Sequence, residues 1–77
     1  MIPRGTTARE FIRALLVDGF VLARVRGSHR IYRHPDGRRT VVAFHALSDT
    51  FPAGTLKAMI ADVGWAAEDL ARLGLLR

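Results

Sequence analysis

The chain has 77 residues, of which 49% are hydrophobic, with a formal net charge of +5 and no cysteine. This length predicts one small domain over residues 1–77, and the lack of cysteine excludes a disulfide framework and a thiolate metal site. Because no apolar stretch resembles a signal peptide or approaches the roughly 18 residues of a membrane span, we expect a soluble cytoplasmic protein.

The first predicted element is a helix over about residues 7–18. Thr7 and Glu10 fit a capping box, in which threonine caps the helix and glutamate binds back to the cap. Apolar residues then recur at helical spacing. Gly19 is placed as the left-handed stop, with Phe20 packing back beyond it.

Three short strands follow, joined by tight turns. The β-rich segment 20–26 ends at the turn Gly27-Ser28, and residues 29–34 and 39–44 form the next two strands. Pro35-Asp36-Gly37 is a hairpin signal between them, so an antiparallel meander is expected. Alternation along the second strand predicts two faces. One face carries His29, Ile31 and Arg33, and the other carries Arg30, Tyr32 and His34.

The last third of the chain is predicted to be helical. Pro52-Ala53-Gly54-Thr55 opens a second helix that Gly64 ends, and Gly74 ends a short third helix over about residues 66–73. One face of the second helix carries Leu56, Met59, Ile60 and Val63. Because helices must cover one face of the sheet, the fold class is α+β, in the order α-β-β-β-α with a short C-terminal helix.

Positive charge is concentrated in the segment from Arg24 to Arg39. It holds six arginines and one acid, and its net charge of +5 equals that of the whole chain. Arginine holds phosphate groups bidentately, so the segment suits an anion such as a nucleic acid. An acidic partner protein docked on this surface is the alternative. The candidate substrate-binding residues are Arg24, Arg26, Gly27, Ser28, Arg30 and Arg33.

His29 is the candidate catalytic residue of this segment. It follows Gly27-Ser28, where a small backbone and a hydroxyl donor leave room for a phosphate. An imidazole can take or give a proton near neutral pH, as cleavage of a phosphodiester next to a ribose 2′-hydroxyl requires. The same spacing also fits a surface histidine on a non-catalytic RNA-binding strand.

The other polar and aromatic candidates are assigned structural roles. His34 is predicted to be a solvated turn residue, while His45 either caps the following connection or reaches the surface of His29. Tyr32 is predicted to pack between sheet and helix, with stacking on a base as the alternative, and Trp65 is predicted to lie in the core or an interface. No two histidines have the spacing of metal ligands, so we expect no metal and no cofactor.

The motifs of the chain resemble the HicA family of mRNA-interferase toxins over about residues 7–70. They are Asp18-Gly19-Phe20, the run from Arg26 through Gly27-Ser28-His29 to Gly37, and Gly54-Thr55-Leu56. The resemblance implies a double-stranded-RNA-binding-domain-like fold, ribosome-independent mRNA cleavage with His29 as the catalytic residue, and neutralisation by a HicB antitoxin. The chain departs from the family pattern at Ala43-Phe44-His45, where proline-x-histidine is usual.

The sequence therefore predicts the toxin of a toxin–antitoxin system, acting as a metal-independent RNA endonuclease. Its expected partners are mRNA and a HicB-like antitoxin that covers the His29 site, with a homo-oligomer or a heteromeric complex both open. A non-catalytic RNA-binding module of the same fold is the alternative, because a fold alone does not define a function.

Overall fold

The computed structural model describes Pro3 and residues 5–76. Its elements, in chain order, are α1 (Ala8–Val17), β1 (Val21–Arg26), β2 (His29–Arg33), β3 (Arg39–Ala43), α2 (Ala53–Val63) and α3 (Ala67–Arg72). This order, with one three-stranded antiparallel sheet, confirms the α+β prediction. The prediction of a single domain includes Met1, Ile2, Arg4 and Arg77, which lie outside the described residues. None of the described helices is both long and apolar enough to cross a membrane.

Helix α1 begins and ends as its sequence predicts. The Glu10 N–H donates to Thr7 Oγ1 at 3.2 Å, and the Thr7 N–H donates to Glu10 Oε1 at 3.0 Å, which completes the capping box. Gly19 has a φ of +102°, and the Phe20 N–H donates to the Leu15 carbonyl at 2.9 Å. The chain therefore leaves α1 through a left-handed glycine and enters the sheet with Phe20 held against the helix end.

The sheet has one face toward the helices, the helix face, and one away from them, the open face. Strand order is β1-β2-β3, and the β2–β3 ladder pairs Tyr32 with Thr40 and Ile31 with Val41. Tyr32, Thr40 and Val42 are buried on the helix face. Tyr32 therefore belongs to the core, as predicted, and the face that carries His29, Ile31 and Arg33 is the open face.

A β-bulge in β1 makes this two-faced arrangement possible. The β1–β2 pairing places Leu22 opposite Tyr32 and Arg24 opposite Ile31, so Ala23 is the extra residue. Strict alternation would put Phe20, Leu22, Arg24 and Arg26 on one face. The bulge shifts the register by one residue, which keeps Phe20 2% exposed in the core while both arginines lie on the open face.

Helices α1 and α2 together supply half of the buried apolar residues of the core. Leu56, Met59, Ile60 and Val63 are all buried on α2, as the predicted face requires, and Gly64 ends the helix with a φ of +69°. Trp65 is 6% exposed and packs 5.3 Å from the Phe11 ring, centroid to centroid. The helical layer thus closes one side of the sheet and leaves the other side free.

The largely buried carboxylate of Asp18 links the helices to the β2–β3 hairpin. Asp18, which caps the C-terminus of α1, accepts hydrogen bonds from Trp65 Nε1 at 2.9 Å and from Arg38 at 3.0 Å. Arg72 of α3 adds a third at 3.3 Å. Burial acts to raise the pKa of Asp18, but these three donors outweigh it, and the pKa lies below its ordinary value of 3.8.

The prediction that His34 is a solvated turn residue is wrong. Its side chain is 19% exposed, and its Nε2 lies 2.9 Å from the Asp18 carbonyl oxygen. The Asp36 N–H donates to Nδ1 at 3.1 Å, and Asp36 Oδ1 lies 3.0 Å from the same nitrogen. His34 also meets the Phe20 ring edge-on, with 5.1 Å between centroids. It joins the hairpin to the end of α1, a contact over 16 residues that the local sequence does not reveal.

Candidate active site

His29 stands at the first position of β2, on the open face. The preceding Gly27-Ser28 forms a two-residue hairpin turn, and Gly27 has a φ of +57°, as the first position of a type II′ turn requires. A Cβ at Gly27 would meet nothing within 4 Å, so glycine is needed here for its conformation and not for space. The turn therefore presents an exposed His29 at the end of the sheet.

The neighbours of His29 leave one of its sides charged and the other open. Arg26 lies directly opposite it on β1, and Ala43 lies opposite it on β3. Opposite residues in antiparallel strands have Cβ atoms about 4.5–5.5 Å apart, which brings the Arg26 side chain within reach of a group bound at the imidazole. The small side chain of Ala43 leaves the third strand free for a ligand.

Four arginines share the open face with His29. Arg26 pairs with His29, Arg24 lies in the next row opposite Ile31, and Arg33 faces Arg39 across β2 and β3. All four are exposed. Among the described residues, none of the four forms an ion pair with an acid. Their guanidinium groups are therefore available to an anion.

The other two arginines of the basic segment have structural partners. Arg30 lies on the helix face, where its guanidinium carbon is 4.5 Å from the centre of the Phe44 ring. Arg38 donates to the carboxylates of Asp18 and Asp36 and, at 2.7 Å, to the Val63 carbonyl. The structure therefore places Arg24, Arg26 and Arg33 on the same face as His29, and Arg30 on the opposite face.

Ser28 and His45 flank the site, and the backbone of each forms a hydrogen bond. The Ser28 carbonyl accepts from the Phe44 N–H at 3.1 Å, which extends the β2–β3 ladder past His29. The N–H of His45 donates to Asp49 Oδ2 at 2.9 Å, while the His45 side chain is exposed. The half-buried Ser28 is thus fixed beside the catalytic candidate.

Arg39 is a component of the open face that sequence reasoning did not place in the site. The sequence indicated this position in part, because Arg33 and Arg39 flank the Pro35-Asp36-Gly37 turn and so lie on adjacent strands. Which residues face each other depends on the loop length, and the observed pairing joins Arg33 to Arg39 directly. This register adds a fourth cation to the surface.

The arrangement suits acid–base chemistry on a bound anion. The imidazole can exchange a proton, and the unpaired guanidinium groups can hold a phosphate and stabilise charge that develops on it. Burial raises the pKa of Tyr32, whose phenol lies in the core and away from this surface. The described residues contain no group of three histidine or acidic side chains able to hold a metal ion.

One protein family matches most of this chain. The family model described as the HicA toxin of bacterial toxin-antitoxin systems matches residues 8–65, about three quarters of the sequence. The matched segment begins at the first residue of α1 and ends at Trp65, just beyond α2. It includes His29 and every arginine of the open face. No curated protein matches the chain.

Proposed function

This chain belongs to the HicA toxin family, whose members are toxins of bacterial toxin–antitoxin systems, and from that premise we propose that it is an endoribonuclease that cleaves mRNA. His29 is its single catalytic histidine. Arg24, Arg26 and Arg33 bind the RNA backbone, and Gly27 and Ser28 shape the turn that presents the imidazole.

The observation that carries this proposal is the composition of the open face. An exposed histidine stands opposite Arg26, and no acid lies on any of the three strands. A structural histidine would have partners like those of His34, which is held by Asp18 and Asp36. His29 is the first residue of β2, and His34 directly follows the strand. The contrast between these two histidines favours a functional role for His29.

The proposed reaction is a transesterification within the RNA. The 2′-oxygen attacks the adjacent phosphorus as its proton leaves, the bond from phosphorus to the 5′-oxygen breaks, and that oxygen takes up a proton. The products are a 2′,3′-cyclic phosphate and a 5′-hydroxyl end. His29 acts as general base toward the 2′-hydroxyl or as general acid toward the leaving oxygen, with water exchanging the other proton. Arg26 stabilises the charge on the non-bridging phosphate oxygens.

This reaction needs RNA and no metal ion. DNA lacks the 2′-hydroxyl that attacks, so it is a competitive ligand and not a substrate. Because the nucleophile belongs to the substrate, the proposed step requires no metal-activated water. The cytoplasm, where mRNA is translated, is the compartment that this substrate implies.

Replacing the imidazole tests the catalytic assignment. Purified His29→Ala should cleave RNA about 10²–10⁴-fold more slowly than the parent, as expected for loss of a general acid or base. His45→Ala is the matched control, because it removes another exposed histidine near the same end of the sheet and should retain activity. Cleavage by His29→Ala at the parent rate would refute the assignment.

The ends of the products and the effect of a chelator test the rest of the mechanism. We expect cleavage to persist in EDTA and to leave 2′,3′-cyclic phosphate ends. Activity that disappears in EDTA and returns with a divalent ion would contradict a metal-independent mechanism in which His29 is the catalytic group.

We further propose that a HicB-like antitoxin covers the His29 site. Strand β1 supports a protein partner that reaches the site from the edge of the sheet, because it is an edge strand whose helix-face residues Leu22 and Val25 are about half exposed. A saturating antitoxin should block RNA cleavage, and Val25→Glu should weaken the complex without altering cleavage by the free toxin. Full cleavage in the presence of bound antitoxin would contradict a covered site.

A non-catalytic RNA-binding module remains the second candidate. The same four arginines favour it, since they would hold an RNA strand whether or not His29 reacts. Binding without any chain cleavage, in both the parent and His29→Ala, would support it over the endonuclease.

A further inference from the structure

Arg33 and Arg39 form a cross-strand pair of like charges. They are directly opposite each other on β2 and β3, and both are exposed on the open face. Like charges at such positions destabilise a sheet, because their Cβ atoms are only about 4.5–5.5 Å apart. Within the part of the chain that the structure describes, no acid pairs with either residue.

The acid nearest to this pair in the sequence, Asp36, is engaged by another arginine. Asp36, in the hairpin between the two arginines, accepts hydrogen bonds from Arg38 Nε at 2.8 Å and from the Arg38 backbone N–H at 3.1 Å. Arg38 is turned toward the helical layer, where it also binds Asp18. The hairpin therefore neutralises the arginine on its helix side and leaves the two on the open face uncompensated. Such a local conflict is expected at a functional site.

We propose that Arg33 and Arg39 form a second phosphate-binding subsite, which holds the RNA backbone at a distance from the scissile bond. The proposal rests on the proposed function, since it takes RNA as the ligand and His29 as the site of cleavage. Arg39 is thereby a binding residue, and one phosphate bridging both guanidinium groups removes their mutual repulsion.

The distance from His29 shows that this subsite binds a different phosphate. Arg33 is four residues from His29 along β2, or about 13 Å at about 3.3 Å per residue. Arg24 occupies the row between them, opposite Ile31. The strand of RNA therefore runs along the open face, from Arg26 past Arg24 to the Arg33–Arg39 pair.

The same face explains which part of the RNA is recognised. Tyr32 and Phe44 are buried on the other side of the sheet, and the open-face positions of the three strands hold no phenylalanine, tyrosine or tryptophan. The Arg33–Arg39 pair therefore has no phenylalanine, tyrosine or tryptophan beside it on this face on which a base could stack. The subsite binds the backbone and adds affinity that depends on the length of the RNA and not on its base sequence.

Binding measurements in the His29→Ala protein test the subsite without cleavage. The probes are two fluorescently labelled single-stranded RNAs, a dinucleotide and a strand of about 12 nucleotides, a typical single-strand site length. Arg39→Gln should weaken binding of the longer RNA about tenfold, as for loss of a charged hydrogen bond, and lower its salt slope by about 0.7. Binding of the dinucleotide at the His29 end should not change.

The matched control is Arg13→Gln, which removes the same charge from an exposed position on α1. It should alter both affinities by less than about twofold, as expected for a cation outside the binding surface. Equal losses from Arg39→Gln and Arg13→Gln would overturn the subsite, because net charge alone would then account for binding. A loss of antitoxin binding with RNA affinity intact would also overturn it.

Stability provides an independent readout. Arg39→Gln should leave the urea midpoint unchanged or raise it, since the substitution relieves a like-charge pair. A midpoint lowered together with the RNA affinity would assign the pair a structural role and overturn the proposal. These measurements do not require catalysis, so a parent protein that binds the longer RNA through Arg39 but does not cut it would refute the endonuclease and retain the subsite.

Discussion

Gly19 is held in place by two separate constraints. Its φ of +102° lies in the region that favours glycine, and a Cβ there would come 2.9 Å from His34 Nε2. The ring cannot move away freely, because that nitrogen binds the Asp18 carbonyl and the other accepts from the Asp36 N–H. The glycine is therefore required both by the turn and by the histidine packed on it.

We expect Gly19→Ala to lower the free energy of unfolding by about 2 kcal/mol or more, as the sum of backbone strain and a lost, partly buried hydrogen bond. Gly74→Ala is the matched control, since Gly74 has a φ of +79° but a Cβ there would meet nothing within 4 Å. Urea unfolding of the two variants separates the effects. Equal losses of unfolding free energy in the two variants would show that the contact with His34 adds no destabilisation beyond backbone strain.

Asp18 is the residue at which three helical ends and a hairpin meet. Its carboxylate accepts from Trp65, Arg38 and Arg72, and its side chain is only 14% exposed. Since the donors hold its pKa below 3.8, the folded state binds the proton more weakly than the unfolded chain does. The resulting stabilisation is complete above the ordinary pKa and is lost as the pH falls through the lowered value.

Asp18→Asn should therefore destabilise the protein near pH 7 by about 1.5–3 kcal/mol, the range for hydrogen bonds to a charged group. The deficit relative to the parent should shrink below about pH 4, where the parent carboxylate itself becomes protonated. Chemical denaturation at neutral and acid pH measures both effects. Glu68→Gln, an exposed acid on α3, is the control and should change stability by less than about 0.5 kcal/mol. A deficit that persists unchanged in acid would contradict the role of the charge.

Among the elements, β1 depends most on its irregularity. Ahead of the bulge the chain must put Phe20 into the core, and beyond it the chain must put Arg24 and Arg26 on the open face. The extra residue, Ala23, allows both. A regular strand of the same sequence would lose either the aromatic contact with Trp65 or the arginine surface.

Deleting Ala23 should accordingly cost at least about 3 kcal/mol, the lower range for loss of a buried phenylalanine, if the arginines keep their face. If Phe20 stays in the core instead, the arginines turn to the helix face and RNA affinity falls. Ala23→Gly keeps the residue count and should cost only about 0.5–1 kcal/mol. A deletion variant with parent stability and parent RNA affinity would show that the bulge is dispensable.

The helices could be predicted from the sequence because their signals are local. Thr7 with Glu10 and the stops at Gly19, Gly64 and Gly74 lie within one turn of the ends that they define. The bulge and the role of His34 could not, because each depends on a partner strand or carbonyl distant in the sequence. For the site, alternation grouped His29 with Arg33 and placed Arg30 on the other face, but it could not show that Arg30 packs against Phe44 there.

At the scale of the whole molecule, only part of the basic segment is free to bind RNA. Four unpaired arginines on the open face predict a slope of about −3 for log affinity against log salt, at about −0.7 per phosphate contact on a single strand. Titrations with labelled RNA at several salt concentrations measure it. Arg72, which binds Asp18 and Asp69, should not contribute directly, whereas Arg77 lies outside the described residues. A slope near zero would show that these arginines do not contact the backbone.

The separation of charges across the sheet also gives the molecule a direction. The four open-face arginines lie on one side, whereas all seven acids lie on helices, caps, turns or loops, interspersed with the six other described cations. The charges of the described residues therefore form an electric dipole whose positive pole is the surface that carries His29. In the field of a polyanion this dipole experiences a torque, so we expect the molecule to turn its open face toward an approaching RNA strand. Encounters are thereby biased toward the productive orientation before any contact forms.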